Sequence, residues 1–519
     1  MGEHFNVAEW LVDRHVAEGR GDRVAIRCEG RSMTYAELQR DIWRVQHLLA
    51  ALGLEAGDRV AMVVQDDETF PAFFLGGQRS GLVPVPLSTM LKGHSLAEII
   101  ADSGARALVI SDTFLDTVDA ISAAAPTIES VIVSGTTNSK IDDEATVRWS
   151  PWSEGEGDPV EPAAVADTTG ATPSFWLYSS GTTGTPKGVM HRHGNVKATV
   201  DTYATTTLQI TEEDRCLSVA KLFFAYGLGN SLTFPLAVGA TAVLNPAPPT
   251  PALMAELIHQ EQATLFFSSP GFCAALLDTT TDASTFDSVR ATVTAGESLP
   301  ANIQTRFAEL ADCPVLDGIG STELLHIFLS NTLDAQVPGS SGWVVDGYEA
   351  EIRDDDDSVI TEPDTPGYLH VRGDSAATGY WERPDATAAA FRDGWVRTGD
   401  VYTRGADDSW TFLGRNNDMI KAGGIWVSPA EVESVLIEHP TVREAAVVGS
   451  RDADGLEVAV AFVIAAAGST IDADELDTHC RDRMASFKRP RQLHIVDDFP
   501  RTATGKIKRF ELRNSLDNA

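Results

Sequence analysis

Lysine is scarce in this chain of 519 residues: only nine of its 40 basic side chains are lysines, against 75 acidic side chains. The net charge is therefore −35. Nucleic acids and anionic membranes repel such a surface, so both are excluded as expected partners. Self-repulsion of this kind is screened near 1 M salt, where the Debye length falls to ~3 Å. We hypothesise a halophilic, salt-adapted protein, with an ordinary acidic protein as the alternative.

Paired cysteines and long apolar runs are also missing from the sequence. The five cysteines are odd in number and widely separated, without CxxC spacing: Cys28, Cys216, Cys273, Cys313 and Cys480. This pattern indicates neither a disulfide framework nor a zinc site, and it predicts reduced, buried thiols. The longest apolar run, at residues 458–468, is too short to cross a bilayer, and residues 1–20 carry charges where a signal peptide has an apolar core. We expect a cytoplasmic protein.

The length exceeds what one hydrophobic core normally supports, so we expect two or more domains. Helical patterns alternate with strand-like apolar runs at residues 24–28, 59–65, 82–86 and 107–111. This alternation is typical of βαβ units in a doubly wound α/β sheet. A capping box of Thr34 and Glu37, followed by apolar residues at helical spacing, predicts a helix after Ser32.

The end of the chain has the pattern of a smaller unit. A helix and two strands are predicted there, at residues 429–439, 445–449 and 458–464. About 100 residues are enough for a separate small domain. We predict an α/β fold with a large N-terminal domain of doubly wound β-sheet subdomains, a hinge and a small α+β lid, at residues 1–415, 416–417 and 418–519. A polar stretch at residues 136–171 is expected to connect two subdomains.

A hydroxyl-rich loop at residues 178–188 is the most informative feature of the chain. Its sequence is Tyr-Ser-Ser-Gly-Thr-Thr-Gly-Thr-Pro-Lys-Gly. Small residues let backbone N–H groups approach phosphate oxygens, hydroxyls donate further hydrogen bonds, and Lys187 adds a positive charge. The glycine spacing differs from the P-loop pattern G-x-x-x-x-G-K-[ST]. We interpret the loop as a binding site for a triphosphate, with a surface turn as the alternative.

The loop resembles the phosphate-binding signature of the adenylate-forming superfamily, which includes acyl- and aryl-CoA synthetases, luciferases and the adenylation domains of peptide synthetases. Five further segments resemble other motifs of this superfamily in the same order, at residues 295–297, 317–323, 398–400, 414–418 and 500–506. Together the motifs span more than 300 residues. The chain is therefore identified as a member of the superfamily, which implies that the C-terminal lid is mobile.

The resemblance implies a role for each matched residue. ATP would be bound by Thr182, Thr183, Gly184, Thr185, Lys187, Gly296, Glu297, Asp317, Gly318, Thr322, Asp400, Arg415 and Lys506. The expected catalytic residues are Lys506, Thr322 and Glu323, with Glu323 also the ligand of Mg²⁺. A carboxylate accepts two vicinal hydroxyl donors, which suits Asp400 for the ribose, with Arg415 beside it. Lys506 would join the substrate carboxylate to the α-phosphate while the adenylate forms.

The second half-reaction needs a thiol, which the superfamily presents by rotating the C-terminal domain. By resemblance, the hinge is Asn417, and the CoA-binding residues are Lys421, Gly423 and Gly424. Two adjacent glycines suit the close passage of a narrow ligand. The sequence departs from the family pattern at two points, because the hinge is usually aspartate or lysine and the loop often has Ser-Gly. An acyl-adenylate former without thioester formation is therefore an alternative.

Residues 221–230 and 321–331 resemble the benzoate–CoA ligase branch of the superfamily. These segments line the acyl pocket there, which implies that the substrate-binding residues are Ala225, Tyr226, Gly320, His326 and Ile327. Ala225 leaves room for a flat ring and Tyr226 offers an aromatic wall, so a short rigid acid fits better than a long flexible one.

Core packing is the alternative role for three aromatic residues of these segments. Consecutive aromatic residues near a strand usually fill the interior, so Phe223 and Phe224 could belong to the core. His326 could likewise be an ordinary buried histidine.

We predict an ATP-dependent aryl-CoA ligase of aromatic compound degradation. It would convert benzoate, ATP and CoA to benzoyl-CoA, AMP and diphosphate through an aryl-adenylate, with Mg²⁺ as cofactor. The alternative acids are 2-aminobenzoate, hydroxybenzoates and cinnamate, because an apolar wall discriminates weakly against an added group. A non-catalytic ligand-binding scaffold is the rival class, and the intact charged residues of the motifs argue against it. The expected partners are the three substrates, without nucleic acid or membrane, and a homodimer is left open.

Overall fold

The structure, a computed structural model, describes residues 3–91, 93–135, 148–152, 160–180, 186–279, 282–422, 425–451, 457–501 and 507–517. Within these residues the strands are β1 (Val24–Cys28), β2 (Arg31–Thr34), β3 (Arg59–Val63), β4 (Val83–Pro86), β5 (Ala107–Ser111), β6 (Ser130–Ser134), β7 (Arg148–Trp152), β8 (Pro173–Ser180), β9 (Pro186–Arg192), β10 (Arg215–Ser218), β11 (Thr241–Leu244), β12 (Leu265–Ser268), β13 (Ala291–Thr294), β14 (Val315–Gly320), β15 (Ile327–Ser330), β16 (Trp343–Val344), β17 (Glu349–Arg353), β18 (Val359–Ile360), β19 (Gly367–Arg372), β20 (Phe391–Arg392), β21 (Trp395–Arg404), β22 (Trp410–Arg415), β23 (Ile420–Ala422), β24 (Ile425–Val427), β25 (Val442–Arg451), β26 (Glu457–Ala465) and β27 (Gln492–Ile495).

The α-helices are α1 (Arg14–Ala17), α2 (Tyr35–Ala51), α3 (Thr69–Arg79), α4 (Gly93–Ser103), α5 (Val118–Ala124), α6 (His193–Thr199), α7 (Ala225–Leu228), α8 (Phe234–Val238), α9 (Pro251–Glu261), α10 (Pro270–Thr279), α11 (Ala301–Ala311), α12 (Pro384–Ala390), α13 (Pro429–Ile437), α14 (Ala473–Arg483) and α15 (Arg509–Asp517). The capping box predicted for α2 is confirmed: the Thr34 hydroxyl accepts from the Glu37 N–H, and the Glu37 carboxylate accepts from the Thr34 N–H. Three π-helical turns lie at Glu9–Asp13, Val200–Thr207 and Gly229–Thr233.

Five parallel strands form one sheet, in the order β4-β3-β5-β6-β7. Its strands β3, β4 and β5 confirm the predicted runs to within two residues. Strand β7 lies inside the stretch 136–171, so the prediction of a plain connection there is wrong at β7. The tryptophans of Arg148–Trp152 favour a strand locally, and β6 supplies a parallel edge for it to pair with.

Nine strands form a second, mixed sheet in the order β16-β15-β14-β13-β12-β10-β11-β1-β2. The pairs from β14 to β1 are parallel, and antiparallel strands close both edges. Strand β1 therefore belongs with β11, where Ile26 pairs with Ala242, and lies in a different sheet from β3. Parallel strands place their carboxyl ends at one edge, so the segments that follow β13 and end β14 meet there.

The strands β17 to β22 form an antiparallel sheet in the order β18-β17-β19-β21-β20, with β22 on β21. Strands β8 and β9 form a separate antiparallel hairpin. Loops at the edges of these layers carry the predicted motifs, which is the usual place for binding residues on a rigid scaffold.

The C-terminal unit is smaller and confirms the predicted helix and strands. It contains the sheet β25-β26-β27 and the hairpin of β23 and β24, together with helices α13, α14 and α15. Ser428 caps α13 by accepting from the Glu431 N–H at 3.1 Å, and its hydroxyl donates to the carbonyl oxygen of Leu413 in β22. This bond ties the first helix of the unit to the preceding sheet.

The core is apolar and layered as an α/β fold requires. The largest buried cluster joins β1, α2, α3 and the nine-stranded sheet, and separate clusters fill the five-stranded sheet and the C-terminal unit. All five cysteines are free and buried, as predicted. A search of the described residues finds no helix with the length and apolar character needed to cross a membrane. The predicted α/β class is confirmed.

Candidate active site

The predicted phosphate-binding stretch, residues 178–188, begins in β8 and ends in β9. Four predicted ATP-binding residues lie outside the described residues: Thr182, Thr183, Gly184 and Thr185. Lys187 is described, and it lies in β9 opposite Ser179 of β8. Its Nζ lies 5.0 Å from the centroid of the Tyr380 ring. The Lys187 ammonium group therefore makes a cation–π contact with the face of the Tyr380 ring.

Thr322 and Glu323 lie on a single 3-10 turn that follows β14. Ser321 begins this turn, and its hydroxyl accepts from the Leu324 N–H at 3.3 Å. The Nε2 of His191 donates to the carbonyl oxygen of Thr322 at 2.8 Å. Burial lowers the pKa of His191 to about 4, so the ring is neutral at pH 7. These bonds hold the turn against β9.

The Glu323 carboxylate has a partner that the sequence motifs do not include. The Tyr380 hydroxyl donates to Glu323 Oε1 at 2.8 Å, and the Ala377 N–H donates to the Glu323 carbonyl oxygen at 2.8 Å. Among the described residues, no group of three or more His, Cys, Asp or Glu side chains could hold a metal ion. One carboxylate fits Mg²⁺ only where phosphates and water supply the other ligands, as is usual for nucleotide-bound Mg²⁺.

Asp400 and Arg415 form an ion pair across two neighbouring strands. They are cross-strand partners in β21 and β22, and Arg415 Nε lies 3.1 Å from Asp400 Oδ1. The Asp400 side chain is 3 % exposed, whereas that of Arg415 is 46 % exposed. Thr398 adds two bonds, since its hydroxyl accepts from the Asp400 N–H and its carbonyl oxygen accepts from Arg415. The structure thus brings together the two residues predicted to bind ribose.

Asp317 is predicted to bind ATP, and its polar atoms bond inside the protein. Its carboxyl, 6 % exposed, accepts from the Thr294 hydroxyl at 2.9 Å. Its carbonyl oxygen accepts from both the backbone and the side-chain N–H of Asn331, at 3.0 Å each. Burial raises the pKa of Asp317 to about 8. Asp317 therefore anchors β14 to its neighbours.

Three glycines and Glu297 lie at the edge of the nine-stranded sheet where β13 and β14 end. Gly296 and Glu297 follow β13 and are exposed, with Gly296 at φ +96°. A Cβ on Gly318 would lie 2.8 Å from a backbone oxygen, and a Cβ on Gly320 would lie 2.5 Å from the His326 carbonyl oxygen. Only glycine fits these two positions, because real Cβ atoms do not approach backbone so closely.

The predicted pocket residues gather around the imidazole of His326. This ring is 3 % exposed, and its Nε2 lies 3.0 Å from Asn230 Oδ1. Three aromatic rings lie within 4.4 to 5.5 Å of it, centroid to centroid: Tyr203, Tyr226 and Phe234. Burial lowers the pKa of His326 to about 3, so the ring is neutral. The surroundings are flat and uncharged, as an aromatic ligand requires.

The remaining pocket residues frame this group. Ala225 and Tyr226 begin the short helix α7 and are partly buried, and the Tyr226 hydroxyl donates to the Val293 carbonyl oxygen at 3.1 Å. Ile327 is buried at the start of β15. The alternative given for Phe223 and Phe224 is confirmed, because both pack on the main core with ring centroids 4.5 Å apart. His326 is also buried, which agrees with the alternative that it is an ordinary buried histidine.

The predicted hinge residue, Asn417, lies in a turn that follows β22. Asn417 is exposed, and the Asp418 N–H donates to the Arg415 carbonyl oxygen at 2.9 Å. Arg513 of α15 lies 3.4 Å from the Asp418 carboxylate. Lys421 is part of β23, and its side chain lies outside what the structure describes, as do Gly423, Gly424 and Lys506.

Arg509, the first residue of α15, forms an ion pair with Glu433 of α13. It donates to both carboxylate oxygens of Glu433 at 2.7 and 2.8 Å. The charge of Glu433 raises the pKa of Arg509 most, and Asp418 and Glu297 raise it further. The start of α15, two residues after the bridge between Arg501 and Ile507, therefore lies near Glu297. Arg501 and Ile507 are the described residues on either side of 502–506, the part of the chain that contains Lys506 and that the structure does not describe.

The sequence motifs do not include four residues that hydrogen-bond to Glu323, Thr322 or His326: Tyr380, Ala377, His191 and Asn230. Tyr380 lies in a Gly-Tyr-Trp run, a local signal of a packed aromatic turn. Asn230 is a single amide inside an apolar stretch, which indicates a buried hydrogen bond. Neither signal names the partner.

Comparisons with known proteins cover nearly the whole chain. Residues 13–381 match the family model of the AMP-binding enzyme, and residues 431–506 match that of the AMP-binding enzyme C-terminal domain. A benzoate–CoA ligase of Thauera aromatica is 40% identical over 519 residues, which are 99% of this chain and 96% of that protein.

Solved structures are similar over the same length. The anthranilate CoA ligase AuaEII in complex with anthranoyl-AMP has a TM-score of 0.92 and 33% identity, covering 100% of this chain and 98% of that one. A benzoate CoA ligase from Burkholderia xenovorans LB400 has a TM-score of 0.89 and 37% identity, covering 98% of this chain and 100% of that one. The resemblance to the adenylate-forming superfamily and to its benzoate–CoA ligase branch is confirmed.

Proposed function

The chain belongs to the AMP-binding enzyme family, and on that premise we propose that it is an aryl-CoA ligase acting on benzoate. It converts benzoate, ATP and CoA to benzoyl-CoA, AMP and diphosphate. The observation that carries this proposal is the neutral imidazole of His326, enclosed by aromatic rings three residues after Glu323. The full-length similarity to the benzoate–CoA ligase of Thauera aromatica supports the same acid.

The first half-reaction makes benzoyl-adenylate. A carboxylate oxygen of benzoate attacks the α-phosphorus of ATP, a C–O–P linkage forms, and diphosphate leaves. Two anions have to meet, so positive and hydrogen-bonding groups are needed at the junction. We assign the β- and γ-phosphates to the loop that ends at Lys187, and the α-phosphate to the Thr322 hydroxyl. We assign Lys506 to the junction of the carboxylate and the α-phosphate, because it stands at the lysine of the family motif at residues 500–506.

The nucleoside part of ATP is assigned to the edge where β13 and β14 end. Gly296, Glu297 and Gly318 lie along this edge, where ligands usually bind in open α/β sheets. The ribose hydroxyls donate to Asp400, which Arg415 holds in place at 3.1 Å.

We assign Mg²⁺ to Glu323. Held there, the ion would supply positive charge to the phosphates and so make diphosphate a better leaving group. The chemistry of the donor set supports this assignment, because a single carboxylate beside the phosphate loop suits an ion that takes most of its ligands from the nucleotide and water.

The second half-reaction transfers the acyl group to CoA. The thiol loses its proton to solvent, its sulfur attacks the carbonyl carbon of the adenylate, a C–S bond forms as the C–O bond to the phosphate breaks, and AMP leaves. We propose a large domain at residues 1–415, a hinge at 416–417 around Asn417, and a mobile lid at 418–519. On this division Lys421, Gly423 and Gly424 contact CoA. The family models support it, because they end at 381 and begin again at 431.

The setting of the enzyme follows from its surface and its thiols. Five free, buried cysteines support a reducing cytoplasm, where the enzyme would serve aromatic compound degradation. The net charge of −35 supports a salt-adapted protein without nucleic acid or anionic membrane as partners. The five lysines whose side chains the structure describes are all partly buried, which leaves few of them to offset the surface acids: Lys187, Lys197, Lys221, Lys488 and Lys508.

A second acid, 2-aminobenzoate, is favoured by a specific observation. The chain is similar over its whole length to an anthranilate CoA ligase structure, at a TM-score of 0.92. An amino group next to the carboxylate differs from benzoate by one polar substituent, which an apolar wall rejects only weakly.

Diphosphate exchange into ATP, measured with a panel of acids, tests the proposal. The panel contains benzoate, 2-aminobenzoate, 3- and 4-hydroxybenzoate, cinnamate and hexadecanoate. We expect the highest kcat/KM for benzoate, with 2-aminobenzoate next. A higher value for hexadecanoate would contradict the pocket assignment. Loss of free CoA thiol, followed in parallel, separates a ligase from an enzyme that stops at the adenylate.

A further inference from the structure

The segment at residues 377–381 lies between β19 and α12 and belongs to none of the sequence motifs. It connects β9 to Glu323 by hydrogen bonds. The segment runs along β9 like a third strand of the phosphate hairpin. Three backbone bonds join the two. The Thr378 N–H donates to the carbonyl oxygen of Met190 at 2.9 Å, and the Met190 N–H donates to that of Gly379 at 3.0 Å. The Trp381 N–H donates to the carbonyl oxygen of Gly188 at 2.8 Å. The segment is therefore fixed to the strand that begins at the phosphate loop.

The same segment contacts Glu323 at two atoms. The Ala377 N–H donates to the Glu323 carbonyl oxygen, and the Tyr380 hydroxyl donates to Glu323 Oε1, each at 2.8 Å. One bond fixes the backbone of Glu323 and the other fixes its carboxylate. A carboxylate has about four acceptor positions, so the bond from Tyr380 uses one of them and leaves the carboxylate able to accept further ligands.

The Tyr380 ring is held from both sides. It is 8 % exposed and packs against Phe391 with ring centroids 5.5 Å apart. Lys187 Nζ lies 5.0 Å from its centroid. One rigid ring thus contacts the ammonium group through its face and the carboxylate through its hydroxyl.

We propose that Tyr380 is a positioning residue, which holds the Glu323 carboxylate and the Lys187 ammonium at a fixed separation for a triphosphate that carries a divalent cation. The inference rests on the proposed function, because it takes Glu323 as the cation ligand. A rigid aromatic side chain loses little conformational freedom in such a role. Without the hydroxyl, the carboxylate has to be oriented by the cation itself when the nucleotide binds.

The test compares ATP binding with Mg²⁺ and with EDTA by isothermal titration calorimetry. Tyr380→Phe keeps the ring and the Lys187 contact and removes only the hydroxyl. We expect its affinity for ATP with Mg²⁺ to fall about tenfold, the typical loss for one hydrogen bond to a charged group, and its affinity in EDTA to stay within about twofold. Tyr380→Leu removes the ring as well and should weaken binding in both conditions.

Two further variants make the test specific. Tyr35→Phe is the matched control, because the buried Tyr35 hydroxyl donates at 2.7 Å to the carbonyl oxygen of Ala240, the residue before β11, and Tyr35 is not among the residues assigned to the nucleotide. Tyr35→Phe should change neither the affinity for ATP with Mg²⁺ nor the affinity for ATP in EDTA. If Tyr380 acts through Glu323, adding Tyr380→Phe to Glu323→Gln should cause no further loss with Mg²⁺. The combined variant gives this answer even where the single Tyr380 variant is less stable.

The outcomes separate this inference from the proposed function. Equal losses with Mg²⁺ and with EDTA in Tyr380→Phe, or full additivity with Glu323→Gln, would overturn the positioning role. Those results would leave benzoate activation by the wild-type enzyme untouched. Conversely, a wild-type enzyme inactive on benzoate would contradict the proposed substrate. A Mg²⁺-specific loss of ATP affinity in Tyr380→Phe would still support the positioning role of Tyr380.

Discussion

The Nε2 of His326 lies 3.0 Å from the Oδ1 of Asn230, a bond between side chains 96 positions apart. Asn230 belongs to the π-helical turn Gly229–Thr233, directly after the pocket helix α7. Turns of this kind are rare and often occur at functional sites. A Cβ on Gly229 would lie 2.4 Å from the His326 ring, so the turn and the imidazole pack without spare room. The pair therefore fixes the orientation of one wall of the aryl pocket.

Replacing Asn230 by alanine should loosen the His326 ring and weaken binding of the acid. We expect the KM for benzoate to rise about tenfold, since one buried hydrogen bond is lost and its partner is left unpaired. The KM for ATP should stay unchanged, because the side-chain bonds of Asn230 within the described residues go to Ser218 and His326 and not to the residues assigned to the nucleotide. Diphosphate exchange at varied benzoate measures both constants.

Asn245→Ala is the control for this prediction. The Asn245 amide bonds Ala247 within a turn, and its loss removes a similar side chain outside the pocket. Equal effects of the two variants on the KM for benzoate would show that Asn230 has no special role in the pocket.

Local elements were predictable from the sequence where the signal and the structure lie in the same few residues. The capping box of Thr34 and Glu37 is one case, and the run that became β5 is another. The hydroxyl-rich stretch 178–188 and the stretch 317–323 identify the family for the same reason, because each is a continuous run of chemically specific residues, and the family is confirmed.

Partners distant in sequence were not predictable. Strand β1 pairs with β11, more than 200 residues later, and its apolar pattern fits either sheet. Tyr380 reaches Glu323 across 57 positions, and nothing in the residues around Tyr380 identifies an acid as its partner. Such contacts depend on the packing of whole layers, so a single sequence without its fold leaves them open.

Asp400→Ala should remove discrimination between ATP and 2′-deoxy-ATP. If the Asp400 carboxylate accepts from the ribose hydroxyls, deleting the acceptor or one donor breaks the same bond, so the two losses are not additive. We expect the KM for ATP to rise about tenfold or more, and the ratio of KM values for the two nucleotides to approach unity. Steady-state kinetics with both nucleotides give the four constants.

The exposed Asp346 supplies a control for charge alone. Asp346→Ala removes one negative charge and should leave both KM values unchanged. A wild-type ratio retained in Asp400→Ala would mean that the ribose is bound elsewhere. The variant should stay folded, because Arg415 is 46 % exposed and water can solvate it once its partner is gone.

The acidic surface predicts that KCl stabilises the fold. Repulsion between like charges falls as the Debye length shortens from about 10 Å at 0.1 M to about 3 Å at 1 M. Exposed ion pairs are screened as well, but each contributes only about 0–1 kcal/mol, so relief of repulsion at a net charge of −35 should dominate. The melting temperature should rise with KCl. Sucrose at matched water activity is the uncharged control, and a flat response to KCl would favour an ordinary acidic protein.

The buried carboxyl of Asp317 predicts a specific pH dependence of stability. Burial raises its pKa from 3.8 to about 8 in the folded protein, so the native state keeps the proton up to about pH 8. The unfolded chain loses the same proton near its ordinary pKa of 3.8. Folding therefore takes up a proton in this window. The contribution to stability is fully present below the unfolded pKa and is lost as the pH rises through the folded one.

Asp317→Asn should cancel this loss, because the amide does not titrate and its side-chain oxygen can still accept from the Thr294 hydroxyl. The free energy of unfolding of the variant minus that of the wild type should then increase by about 1.4 kcal/mol per pH unit between about pH 4 and 8, and level off above that. Urea denaturation at pH 5, 6, 7 and 8 measures the difference, with Asp346→Asn as the exposed control. A difference that stays constant over this range would mean that Asp317 is ionised in the folded protein, and the buried-acid account of β14 would then be wrong.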